Sequence, residues 1–79
     1  MAAQTDYAVG YVVDNKYVYV NGIYTTYVTL SDSFDDAIKC TTQTEAENFA
    51  LIVDGIDSTQ SSSPIVIQRV VEYTTINNP

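Results

Sequence analysis

From Lys16 to Leu30 the chain reads KYVYVNGIYTTYVTL, with β-branched and aromatic residues on both sides of Asn21-Gly22. Such residues suit the pleated surface of a strand. Asn and Gly tolerate the positive φ needed at both central positions of a type I′ turn, so the pattern predicts a hairpin turned at Asn21-Gly22. Upstream, Tyr7–Val13 (YAVGYVV) predicts a further strand, with Asp14-Asn15 as its turn into the hairpin. Residues 1–5 are small or polar and are expected to fray.

These turns define a three-stranded antiparallel meander and its register. A two-residue turn at Asn21-Gly22 sets Val20 opposite Ile23, Tyr19 opposite Tyr24, Val18 opposite Thr25 and Tyr17 opposite Thr26. One at Asp14-Asn15 sets Val13 opposite Lys16, Val12 opposite Tyr17, Tyr11 opposite Val18 and Gly10 opposite Tyr19. Opposed residues share a face. The face with Val9, Tyr11, Val13, Val18, Val20, Ile23, Thr25 and Tyr27 is the more aliphatic and is assigned to the core. Ala8, Gly10, Val12, Tyr17, Tyr19, Tyr24, Thr26 and Val28 form a tyrosine–threonine face, on which Gly10 leaves room for a neighbouring ring. A three-residue first turn would flip the set contributed by the first strand.

In Ser31–Lys39, Ser33 precedes Phe34, Asp36 follows three residues on, and Phe34 and Ile38 are four apart, which predicts one or two helical turns. Thr42-Gln43-Thr44-Glu45 is a capping box opening a helix over Gln43–Val53. Its apolar stripe is Ala46, Phe49, Ala50 and Val53, and Asp54-Gly55 is its stop, with Gly55 as a left-handed C′ residue. Asp57–Ser63 has linker composition, and Pro64 then precedes IVIQRVVEYTTI, a strand apolar on both parities. The fold class is α+β: an antiparallel three-stranded meander, one helix on one face, and a C-terminal strand (βββαβ) in a single domain over residues 1–79. A helix returning along the sheet would lay the last strand beside the first and parallel to it, in the order fourth-first-second-third.

Ten acidic residues against Lys16, Lys39 and Arg69 give a net charge of −7 in 79 residues. That balance opposes direct nucleic-acid binding and anionic membranes, and favours a basic protein surface as partner, although acidity also serves solubility alone. No apolar run reaches the ~18 residues of a spanning helix, and the start has no signal-peptide pattern. With one cysteine and no export signal, the expected compartment is the cytoplasm. No histidine is present, Cys40 has no imidazole partner and reads as buried filler, and the glycines stand apart at 10, 22 and 55. Neither a nucleophilic site, a phosphate loop nor a zinc site can be assembled from these residues, so no enzyme, cofactor or metal is expected. Asp32, Asp35 and Asp36 lack the Gly and the distal Glu of an EF-hand and read as turn and cap residues.

Lys16-Tyr17-Val18, Asn21-Gly22, Tyr24-Thr25, Ala37, Glu45-Ala46 and Phe49-Ala50 together resemble a loose group of small phage and prophage accessory proteins of Gram-positive bacteria. That group has a Tyr-rich hairpin of the form KYVxxNGxYT, an E-A-x-x-F-A helix and a closing strand; Cys40 stands where Phe is commoner. The resemblance implies a setting in the host cytoplasm and no site. Such proteins often inhibit host defence or transcription proteins, anti-CRISPR proteins included, and acidic ones commonly imitate DNA.

The expected function is therefore a non-enzymatic protein-binding module, an acidic phage-encoded inhibitor of a host nucleic-acid-handling or defence protein such as a nuclease or polymerase. The alternative is a homo-oligomeric phage structural or accessory protein. The acids expected to meet a basic partner are Asp6, Asp14, Asp54, Asp57 and Glu72. Tyr17, Tyr19 and Tyr24, with Val12 and Val28, form an expected contact patch opposite the helix, serving a homodimer or the heterologous partner.

Overall fold

The computed structural model describes residues 2–56 and 62–73. They form a four-stranded antiparallel sheet with one helix packed on it, an α+β fold: β1 (Ala2–Val13), β2 (Lys16–Ile23), β3 (Val28–Ser31), α1 (Gln43–Ile56) and β4 (Ile65–Tyr73). Across the sheet the order is β3-β2-β1-β4.

At Asp14-Asn15 both residues have positive φ, 53° and 65°, the conformation a type I′ turn requires. The β1–β2 register is the one this turn implies, with Val13 opposite Lys16, Val12 opposite Tyr17, Tyr11 opposite Val18 and Gly10 opposite Tyr19. Gly10 is needed for a different contact from the one expected. A Cβ there would run into the Val18 carbonyl, so glycine makes room for the β2 backbone rather than for a ring.

Asn21-Gly22 is not a turn. β2 runs through it to Ile23, neither glycine nor asparagine there has positive φ, and the pairing shifts at Asn21 between Val20–Leu30 and Gly22–Thr29, which is a β-bulge. The reversal comes at Tyr24–Tyr27, where the Tyr24 N–H donates to the Tyr27 carbonyl (2.9 Å) and the two rings stack with centroids 4.7 Å apart. Hydrophobic register explains the choice. A turn at Asn21-Gly22 would put Ile23 opposite Val20 and Thr25 opposite Val18, whereas the longer hairpin brings Leu30 opposite Val20 and adds Leu30 and Val28 to the core. Val28 thus moves to the core face, and Ile23, Thr25 and Tyr27 are exposed. Gly22 remains necessary, since a Cβ would lie 2.5 Å from Thr29 Oγ1, whose hydroxyl also donates to the Asn21 side-chain oxygen (2.7 Å).

The core on the helix side is Val9, Tyr11, Val20 and Val53, with Val18, Leu30, Ile38, Phe49 and Ala50 against it. The expected helix stripe is buried, Ala46 and Val53 completely, and the expected cap forms: the Glu45 N–H donates to Thr42 Oγ1 (3.2 Å). The Glu45 carboxylate accepts from the Thr41 and Thr42 hydroxyls (2.8 and 3.3 Å). The helix does not stop at Asp54-Gly55. It continues through Gly55 to Ile56 without positive φ.

Residues 2–5 do not fray either. They extend β1 to Ala2 and pair with β4 from Ala2–Tyr73 through Thr5–Val70. β4 lies beside β1 in the expected order but runs antiparallel to it. The connection after β3 is the reason. It crosses the sheet rather than turning at its end: the Ile38 N–H bonds to the Val20 carbonyl (3.0 Å), and Cys40 exchanges two backbone hydrogen bonds with Tyr7 (2.8 and 3.0 Å). The helix therefore starts at the level of Tyr7 and brings Val53 to Val9, Tyr11 and Val20, so the chain leaves it near the far end of β1 and must come back. Its return begins with Ile65 opposite Gly10.

The bulge makes an expected outcome for a double-mutant cycle. Gly22→Ala should destabilise the protein through Thr29, and Thr29→Ala in the same chain should recover about 1 kcal/mol of the loss, read from denaturant unfolding. Strictly additive effects would contradict the bulge, because a turn glycine chosen for positive φ has no reason to couple to Thr29.

Candidate interaction surface

The sheet face away from the helix is built on Asp6, Ala8 and Gly10 of β1, Tyr17 and Tyr19 of β2, and Ile65, Ile67 and Arg69 of β4, by the pairing of these strands. Its middle is covered by the connection. Ser33 leads into a 3₁₀ turn at Phe34–Asp36, as the spacing predicts, but the Ser33 side chain makes no cap. Ser31 ties the turn down instead: its hydroxyl accepts from the Ser33 N–H (3.1 Å) and donates to the Asp36 carboxylate (3.1 Å). The turn delivers Phe34 edge-on to Tyr19 (centroids 5.2 Å apart, planes at 74°), a geometry that contributes about 1 kcal/mol beyond burial.

Arg69 closes the arrangement. Its guanidinium carbon lies 4.2 Å from the Phe34 centroid, one nitrogen donates to Asp35 (2.8 Å) and another to Asp6 (3.3 Å). Asp6 is directly opposite Arg69 across β1–β4 and its side chain is 13% exposed, whereas that of Asp35 is 81% exposed. Arg69 Nε is buried without a hydrogen bond, so the ring contact and two carboxylates hold a guanidinium that is incompletely satisfied. Hydrogen bonding from Arg69, and then its charge, hold the Asp35 carboxyl below its ordinary value, with Lys39 adding to the effect. Lys39 itself folds back, its amino group donating to the Asp35 carbonyl (2.7 Å).

With Arg69 held on the sheet face, the exposed cations are Lys16, beside the β1–β2 turn, and Lys39, and the exposed acids outnumber them. Asp14 is exposed at the β1–β2 turn, Asp32, Asp35 and Asp36 on the connection, and Glu45, Glu47 and Asp54 on or beside the exposed side of α1. Asp6 is half-buried in its pair with Arg69, which removes it from the freely available acids. Asp57 lies outside the described residues; Glu72 belongs to β4, with its side chain outside them.

The tyrosines expected to form one patch are distributed over the sheet. Tyr17 is exposed (51%) and opposite exposed Val12; Tyr19, 6.4 Å away ring to ring, is half-covered by Phe34; Tyr24 sits at the other end of β2, stacked on Tyr27. Asp14, Tyr17 and Val12 are thus brought together near one turn, and Tyr24 and Asp54 are not joined to them. The Asp6–Arg69–Asp35–Phe34 cluster was not anticipated from the sequence. The signal that points to it is Arg69 itself, a lone cation in a strand otherwise apolar on its parity, which needs a carboxylate once that face is covered.

Cys40 is buried, and burial followed by the charge of Glu45 pushes its thiol pKa up, away from a reactive thiolate. Among the described residues no acidic group gathers with others in a metal-holding cluster, and no helix is long and apolar enough to cross a membrane. No protein-family model, curated protein or solved structure matches the chain.

Because Asp35 has a lowered folded pKa, its contribution to stability is present above the ordinary aspartate value and is lost as pH falls through the folded one. Asp35→Asn should lower the melting temperature at neutral pH, and the gap to wild type should close on acidification. A gap of equal size in acid and at neutrality would contradict the Arg69–Asp35 pair.

Proposed function

We propose that the protein is a non-enzymatic protein-binding module that occupies a basic surface of a host nucleic-acid-handling or defence protein, as an acidic, DNA-imitating phage inhibitor of the anti-CRISPR kind. The observation that carries this reading is the placement of charge. Arg69 is held by two carboxylates, Lys39 folds onto backbone carbonyls, and the exposed acids extend from the β1–β2 turn over the connection to the helix. Such a surface captures cationic partners rapidly and in a salt-dependent way. The buried, protonated thiol and the absence of histidine supply no competing chemistry. The resemblance of the hairpin and helix to phage accessory proteins supplies the setting, a host cytoplasm.

A second reading has its own support. Val12 and Tyr17 are opposed, more than half exposed, and lie on a sheet face that no described helix covers, which favours a homodimer contact in a phage structural or accessory protein.

Affinity capture from host lysate at low and high salt separates the two. The inhibitor reading expects a basic nuclease or polymerase that is recovered at low salt and displaced by added DNA. With the captured partner purified, Asp14→Lys should slow association several-fold and flatten its salt dependence. Recovery of the protein alone, running as a dimer that Tyr17→Ser dissociates, would overturn the inhibitor in favour of the second reading.

A further inference from the structure

The two edges of the sheet are unequal. β3 spans only Val28–Ser31 and lies next to the bulge at Asn21, two features that discourage further strand pairing. β4 spans Ile65–Tyr73, follows β1 in unbroken register from Gly10–Ile65 to Ala2–Tyr73, and is paired on its other side by no described strand. Alternate N–H and C=O groups of such a strand point outward and form a template for another.

Among the described residues the usual guards of an edge are missing from β4. Pro64 stands before the strand and none lies within it, no bulge interrupts it, and its one cation is drawn onto the sheet face by Asp6 and Asp35. Val70, a residue of high strand propensity, is 55% exposed in the middle of this edge. The only other charged residue of β4 is Glu72.

We propose that the β4 edge receives an extended, Lys- or Arg-bearing segment of a partner protein as a fifth strand. The inference rests on the acidic-module reading above and adds to it the mode of contact. Charge selects the occupant. A second copy would bring the same net charge of −7 to the edge, whereas a cationic strand brings the opposite sign. Arg69, one position from Val70, is already engaged by Asp6 and Asp35, so β4 presents no free cation of its own to repel that strand. Main-chain hydrogen bonds then supply affinity, and the acids select the side chains that accompany them.

The test uses the full chain, a short peptide alternating Lys and Thr, and a twin of that peptide N-methylated on alternate residues so that it keeps its charges but cannot add as a strand. By amide hydrogen exchange the unmodified peptide should raise protection at alternate β4 amides by roughly tenfold or more and leave α1 unchanged. Val70→Lys should weaken this binding and Val70→Glu strengthen it; both substitutions fall at an exposed position, and circular dichroism verifies the fold. Equal binding of the methylated twin would overturn the edge and leave the acidic-surface reading standing. Binding of neither peptide would overturn both. Sedimentation as a dimer that both Val70 variants dissociate would overturn the cationic partner and assign the edge to a second copy.

Discussion

A single helix can screen one face of a four-stranded sheet, and the other face must be protected by something else. Here the protection is Phe34, held edge-on against Tyr19 and capped by the Arg69 guanidinium, which Asp6 and Asp35 hold from two sides. Remove the ring and the second face offers a stretch of strand backbone, a half-buried tyrosine and an arginine whose Nε is already unpaired. A chain of 79 residues has little core with which to compensate, because small domains bury a smaller fraction of their surface.

The ring can reach its place because β1 is long and β2 is not. β2 pairs with β1 only as far as Gly10, and the connection fills the space beyond it by bonding to Val20 on β2 and to Tyr7 on β1. In crossing, it leaves Phe34 with Tyr19 and Arg69 on one face and packs Ile38 against the Val9–Tyr11–Val20–Val53 core on the other. The same crossing sets where the helix begins and so makes β4 antiparallel to β1. Topology, second-face cover and the placement of Arg69 therefore share one origin, and the engagement of Arg69 by two carboxylates adds to an outward acidity set by ten acids against three cations.

Local signals in the sequence were legible where no tertiary contact competed with them. The Asp14-Asn15 turn, the β1–β2 register it sets and the Thr42–Glu45 cap all depend on neighbours a few residues away. Asn21-Gly22 carries the stronger turn signal of the two, yet burying Leu30 beside Val20 outweighs it, and the pair becomes a bulge. Gly55 does not end the helix either, which carries on to Ile56, and no contact in the structure explains it. The direction of β4 depended on where residues 32–42 travel, which periodicity does not encode. Of the candidate surface, the exposed acids were readable from composition, while the separation of Tyr24 from Tyr17 depended on the hairpin register, and the Arg69 cluster on the cross-strand pairing of Asp6 with Arg69.

Proton NMR of the wild-type protein reads the seat of Phe34 on the second face without any substitution. Nuclear Overhauser contacts are expected from the Phe34 ring to both the Tyr19 ring and the Arg69 side chain, with the Arg69 δ-methylene shifted upfield by the ring current. A Phe34 ring without those contacts, beside Arg69 resonances at random-coil positions, would contradict it.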